Sequence, residues 1–169
     1  MKWIGFLLVI AGTGGIGFSL VGDYTMRIRM LEQIKTMLHY INDMIVYEKA
    51  SLPEAFRKTA VRMEEPFGSF LQKVADQMDD FSGEELSFLW KSNATMVKSR
   101  MHKKDFLEFA DCMQQTGFTD VKGQSCILKS YEQRIELLLC KLTEQKEEKC
   151  KLYQTLGIMS GVFVCILLL

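Results

Sequence analysis

Apolar residues are concentrated at the two ends of the chain, whereas apolar and charged residues recur at helical spacing between them. Trp3 to Gly22 is a run of 20 residues without a charge. A helix of this length covers the roughly 30 Å hydrocarbon core of a bilayer, which predicts a transmembrane helix over residues 1–22. A cleaved signal peptide is the alternative, but only Lys2 precedes the run and no small-residue cleavage site precedes Asp23.

The second apolar run, Leu156 to Leu169, has 14 residues and could by itself be a buried helix. Because a free apolar tail would aggregate in water, we interpret residues 156–169 as a C-terminal transmembrane helix. All 21 Lys and Arg residues except Lys2 lie between the two runs. Since cytoplasmic segments beside membrane spans are basic, residues 23–155 are predicted to form a cytoplasmic domain, with both chain ends across the membrane.

Small residues recur every four positions in both predicted spans. Such ridges let helix backbones approach closely in a membrane, which favours packing of the spans on each other or on partner helices. The ridge positions are Ala11, Gly15 and Ser19 in the first span, and Gly157, Gly161 and Cys165 in the second.

The glycines from Gly12 to Gly17 also match the dinucleotide motif GxGxxG. That motif binds a cofactor only within a strand–turn–helix unit followed by a second strand. Met26 to Tyr47 is helical in pattern and long, so the sequence predicts no nucleotide cofactor.

The central domain is predicted to be all-α, because apolar residues recur at three-to-four spacing and no alternating β-branched run occurs. Ser51 and Glu54 suggest a capping box with Pro53 in the first turn, and Asp120 can cap the last helix. Gly117 suits the left-handed residue that ends a helix. Six helices are predicted, covering about residues 25–48, 51–65, 67–80, 82–97, 104–116 and 120 onward.

The first and last of these helices are long, and each is predicted to continue into a terminal span. Burying an apolar side chain contributes about 1.5–3 kcal/mol, so antiparallel pairing of their two apolar stripes is expected. If residues are counted outward from the bilayer at equal rise along both helices, Ile34 lies near the height of Leu142, and Ile41 near the height of Ile135. The four shorter helices, about residues 52–116, are expected to pack as a cap at the far end of the pair. The stripes are Met30, Ile34, Met37 and Ile41, and Tyr131, Ile135, Leu138 and Leu142.

The charged and polar residues indicate no catalytic, metal or nucleic-acid site. Lys plus Arg equals Asp plus Glu at 21 each, so no net field favours a polyanion. The five cysteines lack metal-clip spacing, which is typical of free thiols in a reducing compartment. His39 has Asp43 four residues along, and a surface pair is the better interpretation because zinc takes three or four ligands. The sequence therefore predicts a non-enzymatic scaffold that takes no small-molecule substrate.

Several short segments of the chain carry a family resemblance. Their matching positions include Tyr47, Leu52, Pro53, Glu54, Ala55, Pro66, Gly117, Asp120 and Gln124. By the order and spacing of these segments, rather than by any one motif, the whole chain resembles the stage III sporulation protein AB family of endospore-forming bacteria. It departs from the family at Glu48, where Gly is more frequent, and at Thr116, where Leu is more frequent. The first departure puts in doubt a tight turn at that point.

The resemblance implies a place in the channel complex that joins mother cell and forespore. The family is related to the inner-membrane platform proteins of type II secretion and type IV pilus machines, whose helical domains meet a hexameric ATPase. The expected location is therefore the mother-cell membrane facing the forespore. The expected partners are the sporulation ATPase, stage III sporulation protein AA, other membrane proteins of the complex, and lipid. A general membrane-anchored adaptor of another helical assembly is the alternative.

Overall fold

In the computed structural model of the protein, the described backbone covers residues 2–80, 86–116 and 120–168. These residues form helices, and none of them forms a strand, so the predicted all-α fold class is confirmed for this part of the chain. The start of the helix predicted over residues 82–97 and the helix end predicted at Gly117 lie outside this part. The helices are α1 (Lys2–Val46), α2 (Leu52–Ala60), α3 (Phe67–Asp80), α4 (Leu86–Asn93), α5 (Thr95–Lys98), α6 (Lys103–Thr116) and α7 (Val121–Leu168).

The predicted membrane spans fall mostly on residues whose side chains lie outside the described part of the structure. Among the residues that are described, no helix has both the length and the apolar content needed to cross a membrane. The spans at 1–22 and 156–169, and the domain boundaries they define, stay predictions. The predicted packing residues Ala11, Gly15, Ser19, Gly157 and Gly161 also lie outside the described side chains.

The chain divides into two compact units. Residues 1–28 and 139–169 form the terminal unit, and Arg29–Leu138 forms the central unit. Within the terminal unit, Lys149 Nζ donates a hydrogen bond of 2.7 Å to Tyr24 Oη and lies 4.5 Å from the centre of that ring. This contact joins the two chain segments of the terminal unit.

An aromatic cluster fills the core of the central unit. Trp90 of α4 is 1% exposed and lies between rings from three other helices. Its ring centroid is 4.5 Å from that of Phe70 (α3), 5.0 Å from that of Phe109 (α6) and 6.0 Å from that of Phe56 (α2). Tilted and edge-on arrangements of this kind are favourable aromatic contacts. The cluster therefore fixes the short helices to one another.

Helices α1 and α7 run antiparallel within the central unit, as predicted, but the predicted register is wrong. Lys35 Nζ lies 3.2 Å from Glu136 Oε1, and His39 Nδ1 lies 3.5 Å from Glu132 Oε1. Ile135 is therefore near the level of residue 36 and not of Ile41, a difference of about five residues or roughly 7.5 Å. Counting from the bilayer failed because it assumed that both helices start at the same height, and no residue pattern in the sequence fixes that height.

The predicted cap at the far end of the helix pair is also wrong, because the short helices lie along α1. Glu64 accepts hydrogen bonds from Arg29 (3.1 Å) and Gln33 (2.7 Å), although it follows α2. The Arg62 guanidinium lies 5.3 Å from the centre of the Tyr40 ring. The physical reason is that α1 buries more of its circumference than one partner helix can cover. Its buried residues are Met30, Leu31, Ile34, Met37, Leu38, Ile41, Asn42, Met44 and Ile45.

A tight turn connects α1 to α2, although the chain has Glu48 where the resemblance implies glycine. Lys49 has φ 52°, in the left-handed region, and the Ala50 N–H donates to the Met44 carbonyl at 3.1 Å. Glu48 therefore does not prevent a tight turn at this point. The predicted capping box is wrong, because Ser51 makes no side-chain capping hydrogen bond. The Pro in the first turn and the N–H bond from Ala55 to the Ser51 carbonyl (2.8 Å) remain as start signals.

Two helix boundaries follow from local side-chain hydrogen bonds. The Leu89 carbonyl accepts from both Ser92 Oγ and Asn93 Nδ2, each at 2.9 Å. Such bonds compete with the helical ladder, so α4 ends at Asn93 and α5 is separate, where one helix was predicted. The predicted cap of α7 is confirmed, since Asp120 Oδ1 accepts from the Gly123 N–H at 3.0 Å.

Candidate partner-binding surface

Two segments that carry the family resemblance meet at one end of the α1–α7 pair. Ser125 Oγ of α7 donates a hydrogen bond of 2.7 Å to Asn42 Oδ1 of α1. Because the helices are antiparallel, five residues onward along α1 and five residues back along α7 reach the same level. Tyr47 therefore lies at the same end of the pair as Asp120 and Val121. We name this end the turn surface, formed by Tyr47, Lys49, Asp120, Val121 and Gln124.

The turn surface presents apolar groups to solvent. Tyr47 is 78% exposed and Val121 is 54% exposed. Asp120, which caps α7, and Lys49 are exposed beside them, and Gln124 is half-buried. Exposed aromatic side chains surrounded by polar groups are typical of protein-binding surfaces. The arrangement provides a contact surface and no set of groups suited to bond chemistry.

A three-residue charge cluster braces the turn between α1 and α2. Lys58 Nζ lies 2.8 Å from Glu48 Oε2 and 3.1 Å from Glu54 Oε1. The Glu48 carboxylate, and then that of Glu54, raise the pKa of Lys58 above its ordinary value. The predicted site residue Glu54 thus acts on local structure. The cluster holds the loop that carries Tyr47 and Lys49 against α2.

The other predicted site residues that the structure describes contribute to helix packing. Ala55 and Pro66 are buried, whereas Leu52 and Pro53 are half-buried in the first turn of α2. Pro66 precedes the buried Gly68, at which an added Cβ would lie 3.0 Å from the Met63 carbonyl oxygen and 3.1 Å from that of Ala60. This close approach packs the start of α3 against the end of α2. Gly117 lies outside the described residues.

A cleft of about 320 Å³ lies between α6 and α7. Burial raises the pKa of the Cys112 thiol on its wall to about 12. The thiol is therefore protonated at neutral pH, whereas the thiolate is the form that attacks substrates or binds metals. Burial also raises the pKa of the neighbouring Tyr131 phenol. Neither Cys112 nor Tyr131 is thus an activated nucleophile. The charged side chains that line the cleft are Glu108, Asp111 and Arg134.

His39 belongs to a surface ion-pair network that joins α1 and α7. Its Nε2 lies 3.4 Å from Asp43 Oδ2, and its ring also faces Glu132. The imidazole is 56% exposed. The predicted surface pair is confirmed. Among the described residues, no group of three or more His, Cys, Asp or Glu side chains is arranged to hold a metal ion.

The sequence analysis did not predict that the residues of the turn surface lie close together. The resemblance marked Tyr47, Asp120 and Gln124 separately, but it did not bring them together because the predicted cap was assigned to residues 52–116. The exposed Val121 was not marked at all. The signal that could have found the surface is the predicted antiparallel pairing itself, since it brings the end of the first helix to the start of the last.

Comparisons with known proteins agree on one family. The family model for stage III sporulation protein AB matches residues 2–169. The protein named stage III sporulation protein AB from Bacillus subtilis (strain 168) is 22% identical over 171 residues, which covers 100% of this chain and 99% of that protein. A solved structure of a protein with the same name matches with a TM-score of 0.59 at 18% identity, covering 73% of this chain and 98% of that chain. At that identity the structural likeness shows the fold.

Proposed function

Because the chain belongs to the stage III sporulation protein AB family, we propose that it is a non-catalytic platform of the channel complex between mother cell and forespore. In this role it is anchored in the mother-cell membrane by its terminal apolar runs, and its central unit faces the cytoplasm. It docks the cytoplasmic secretion-type ATPase, stage III sporulation protein AA. The observation that carries the proposal is the family match over residues 2–169.

Two features of the chain support an anchored platform. The segment from Trp3 to Gly22 has no charged residue, and all the Lys and Arg residues except Lys2 lie between the apolar runs. That distribution is typical of a protein whose central domain stays on the cytoplasmic side. The central unit packs its helices around an aromatic core, which gives a partner a rigid surface to bind.

Within this role we assign docking of the ATPase to the turn surface. Tyr47 is among the most exposed large apolar side chains of the described residues. A tyrosine buried at the centre of an interface often contributes 2 kcal/mol or more to binding. The Lys58 cluster holds the loop of Tyr47 in place, which lowers the cost of ordering it on binding.

Co-purification tests the proposal and the assignment together. Tagged full-length chain, extracted from membranes in mild detergent, is expected to retain stage III sporulation protein AA. The double variant Tyr47→Ala, Val121→Ser is expected to lose about 2–3 kcal/mol of binding, a drop of roughly 30-fold or more in affinity. Val61→Ser is the matched control, because Val61 is 87% exposed and lies at the end of α2.

The outcomes separate the two parts of the proposal. Absence of the ATPase from the wild-type preparation, with both proteins present and folded, contradicts docking. Full retention by the double variant contradicts the assignment to the turn surface and leaves docking intact. Loss with the Val61 variant and not with the double variant moves the docking site to α2.

A further inference from the structure

Charges are segregated in the middle of a chain that is neutral overall. Residues 74–90 contain five acidic residues and no Lys or Arg, whereas residues 86–104 contain five basic residues and no Asp or Glu. The described acidic side chains are Asp76, Asp79 and Asp80 at the end of α3, which we name the acidic patch. The described basic side chains are Lys98, Arg100, Lys103 and Lys104, which we name the basic patch. All seven are exposed.

Two residues of each patch lie at the unfavourable end of a helix. Asp79 and Asp80 are the last two residues of α3, where the helix dipole repels negative charge. Lys103 and Lys104 are the first two residues of α6, where the dipole repels positive charge. The charges therefore do not stabilise the helices that carry them. An opposite charge brought from outside the chain would relieve both conflicts.

The two patches are not paired with each other inside one chain. Asp76 and Asp79 approach Arg57 of α2, which offsets part of the acidic charge. On the neighbouring face of α3, Gln77 accepts a hydrogen bond from Asn93 of α4. No ion pair among the described residues joins the acidic and basic patches. The patches are thus complementary in sign and both open to solvent.

We propose that the chain associates head to tail with further copies of itself, the basic patch of one copy binding the acidic patch of the next. The occupant is a second copy because each copy of the chain supplies both an acidic and a basic patch, so one kind of contact satisfies both. An anionic lipid surface would satisfy the basic patch and repel the acidic one. A contact between two different patches is heterologous, so it forms a ring if the rotation closes and a chain if it does not. This association goes beyond the docking of an ATPase.

Charge reversal tests the association without weakening the fold. Full-length wild-type protein in neutral detergent, with no ATPase present, is expected to form oligomers at about 0.05 M salt and to dissociate at about 1 M, where the Debye length is only about 3 Å. K103E/K104E and D79K/D80K are each expected to weaken association by about tenfold or more. Both variants place charges that the helix dipoles favour. D79K also removes the ion pair with Arg57, but exposed pairs of this kind contribute little to stability, so unfolding is not expected to cause the loss.

Mixing the two variants gives the decisive result. Glu at positions 103 and 104 of one variant faces Lys at positions 79 and 80 of the other, and the unchanged patches of the two variants also match, so an equimolar mixture is expected to recover the oligomers. K122E/K129E is the matched control, because it makes the same change in net charge at exposed positions of α7, and it is expected to associate like the wild type. Carbodiimide crosslinks between light and heavy isotope-labelled copies are expected to join residues 103–104 to residues 79–80.

Several results would overturn the proposal. Wild-type protein that stays monomeric at every salt concentration would do so, as would reversed variants that associate as the wild type does. Failure of the mixed variants to recover, with circular dichroism showing both folded, would also overturn it. Association that needs anionic lipid vesicles and is insensitive to D79K/D80K would assign the basic patch to a lipid surface instead.

Discussion

Replacing Trp90 by alanine is expected to lower the free energy of unfolding of the central unit by about 3–5 kcal/mol. The indole is 1% exposed and contacts aromatic rings of α2, α3 and α6, so its removal leaves a cavity where four helices meet. Such a loss is a large part of the roughly 5–15 kcal/mol that holds a typical domain folded. The midpoint of thermal unfolding, followed by circular dichroism on the full-length chain, should fall by roughly 10–20 °C.

Phe88→Ala is the matched control for that measurement. Phe88 lies on the same helix two residues earlier and is 60% exposed. Its replacement is expected to change stability by less than about 0.5 kcal/mol, as is usual for surface positions. Trp90→Phe should fall between the two, because the Trp90 indole N–H has no hydrogen-bond partner among the described residues. A Trp90→Ala protein as stable as the Phe88→Ala protein would contradict the position of Trp90 at the centre of the core.

The second prediction concerns the register of α1 and α7. It is a disulfide crosslink that forms at one pair of positions and not at another. Cysteines at positions 42 and 125, in a background that lacks the native cysteines, are expected to form a disulfide on mild oxidation. The reason is that the short side chains of Asn42 and Ser125 already meet at 2.7 Å, which brings the backbones close to the range that a disulfide spans.

Cysteines at positions 41 and 135 are the matched control and should stay reduced. Ile135 lies near the level of residue 36, because Glu136 contacts Lys35. The axial offset from Ile41 is therefore about 7.5 Å, more than a disulfide tolerates. Ready oxidation of the 41/135 pair, with the 42/125 pair remaining reduced, would restore the register predicted from the sequence and exclude the observed one.

Local elements could be predicted because their signals are local. The spacing of apolar residues gave α3 at the observed bounds, Phe67–Asp80, and α6 within one residue of its start. Asp120 was identified as a cap because an Asp before an apolar helix accepts N–H bonds of the first turn. The signal at Ser51 was equally local but failed, since the turn at Lys49 and the Lys58 charge cluster hold the start of α2 without its hydroxyl.

Features that depend on two distant segments could not be predicted in the same way. The contacts of Glu64 with Arg29 and Gln33 join positions more than 30 residues apart, and no pattern along the chain indicates that pairing. The place of the short helices beside α1 follows from such contacts. The packing of the buried Phe109 could not be predicted for the same reason, because its partners Phe67, Phe70 and Trp90 lie on other helices.

The turn surface shows the same difference between features with a local signal and features that depend on two distant segments. The resemblance marked Tyr47, Asp120 and Gln124 as positions of interest, but it carried no information on their distance from one another. The Asn42–Ser125 hydrogen bond supplies that information, because it fixes which turns of α1 and α7 lie side by side. Exposure then separates Tyr47, which is open to a partner, from Ala55 and Pro66, which are buried and support the fold.

Site-specific photocrosslinking in sporulating cells tests the central claim most directly. A photoreactive phenylalanine analogue placed at position 47 or 121 is expected to crosslink the chain to stage III sporulation protein AA. The same analogue at position 61, which is at least as exposed, is expected to give no such product. Crosslinking from position 61 with none from 47 or 121, in variants that accumulate and fold as the wild type does, would contradict docking at the turn surface.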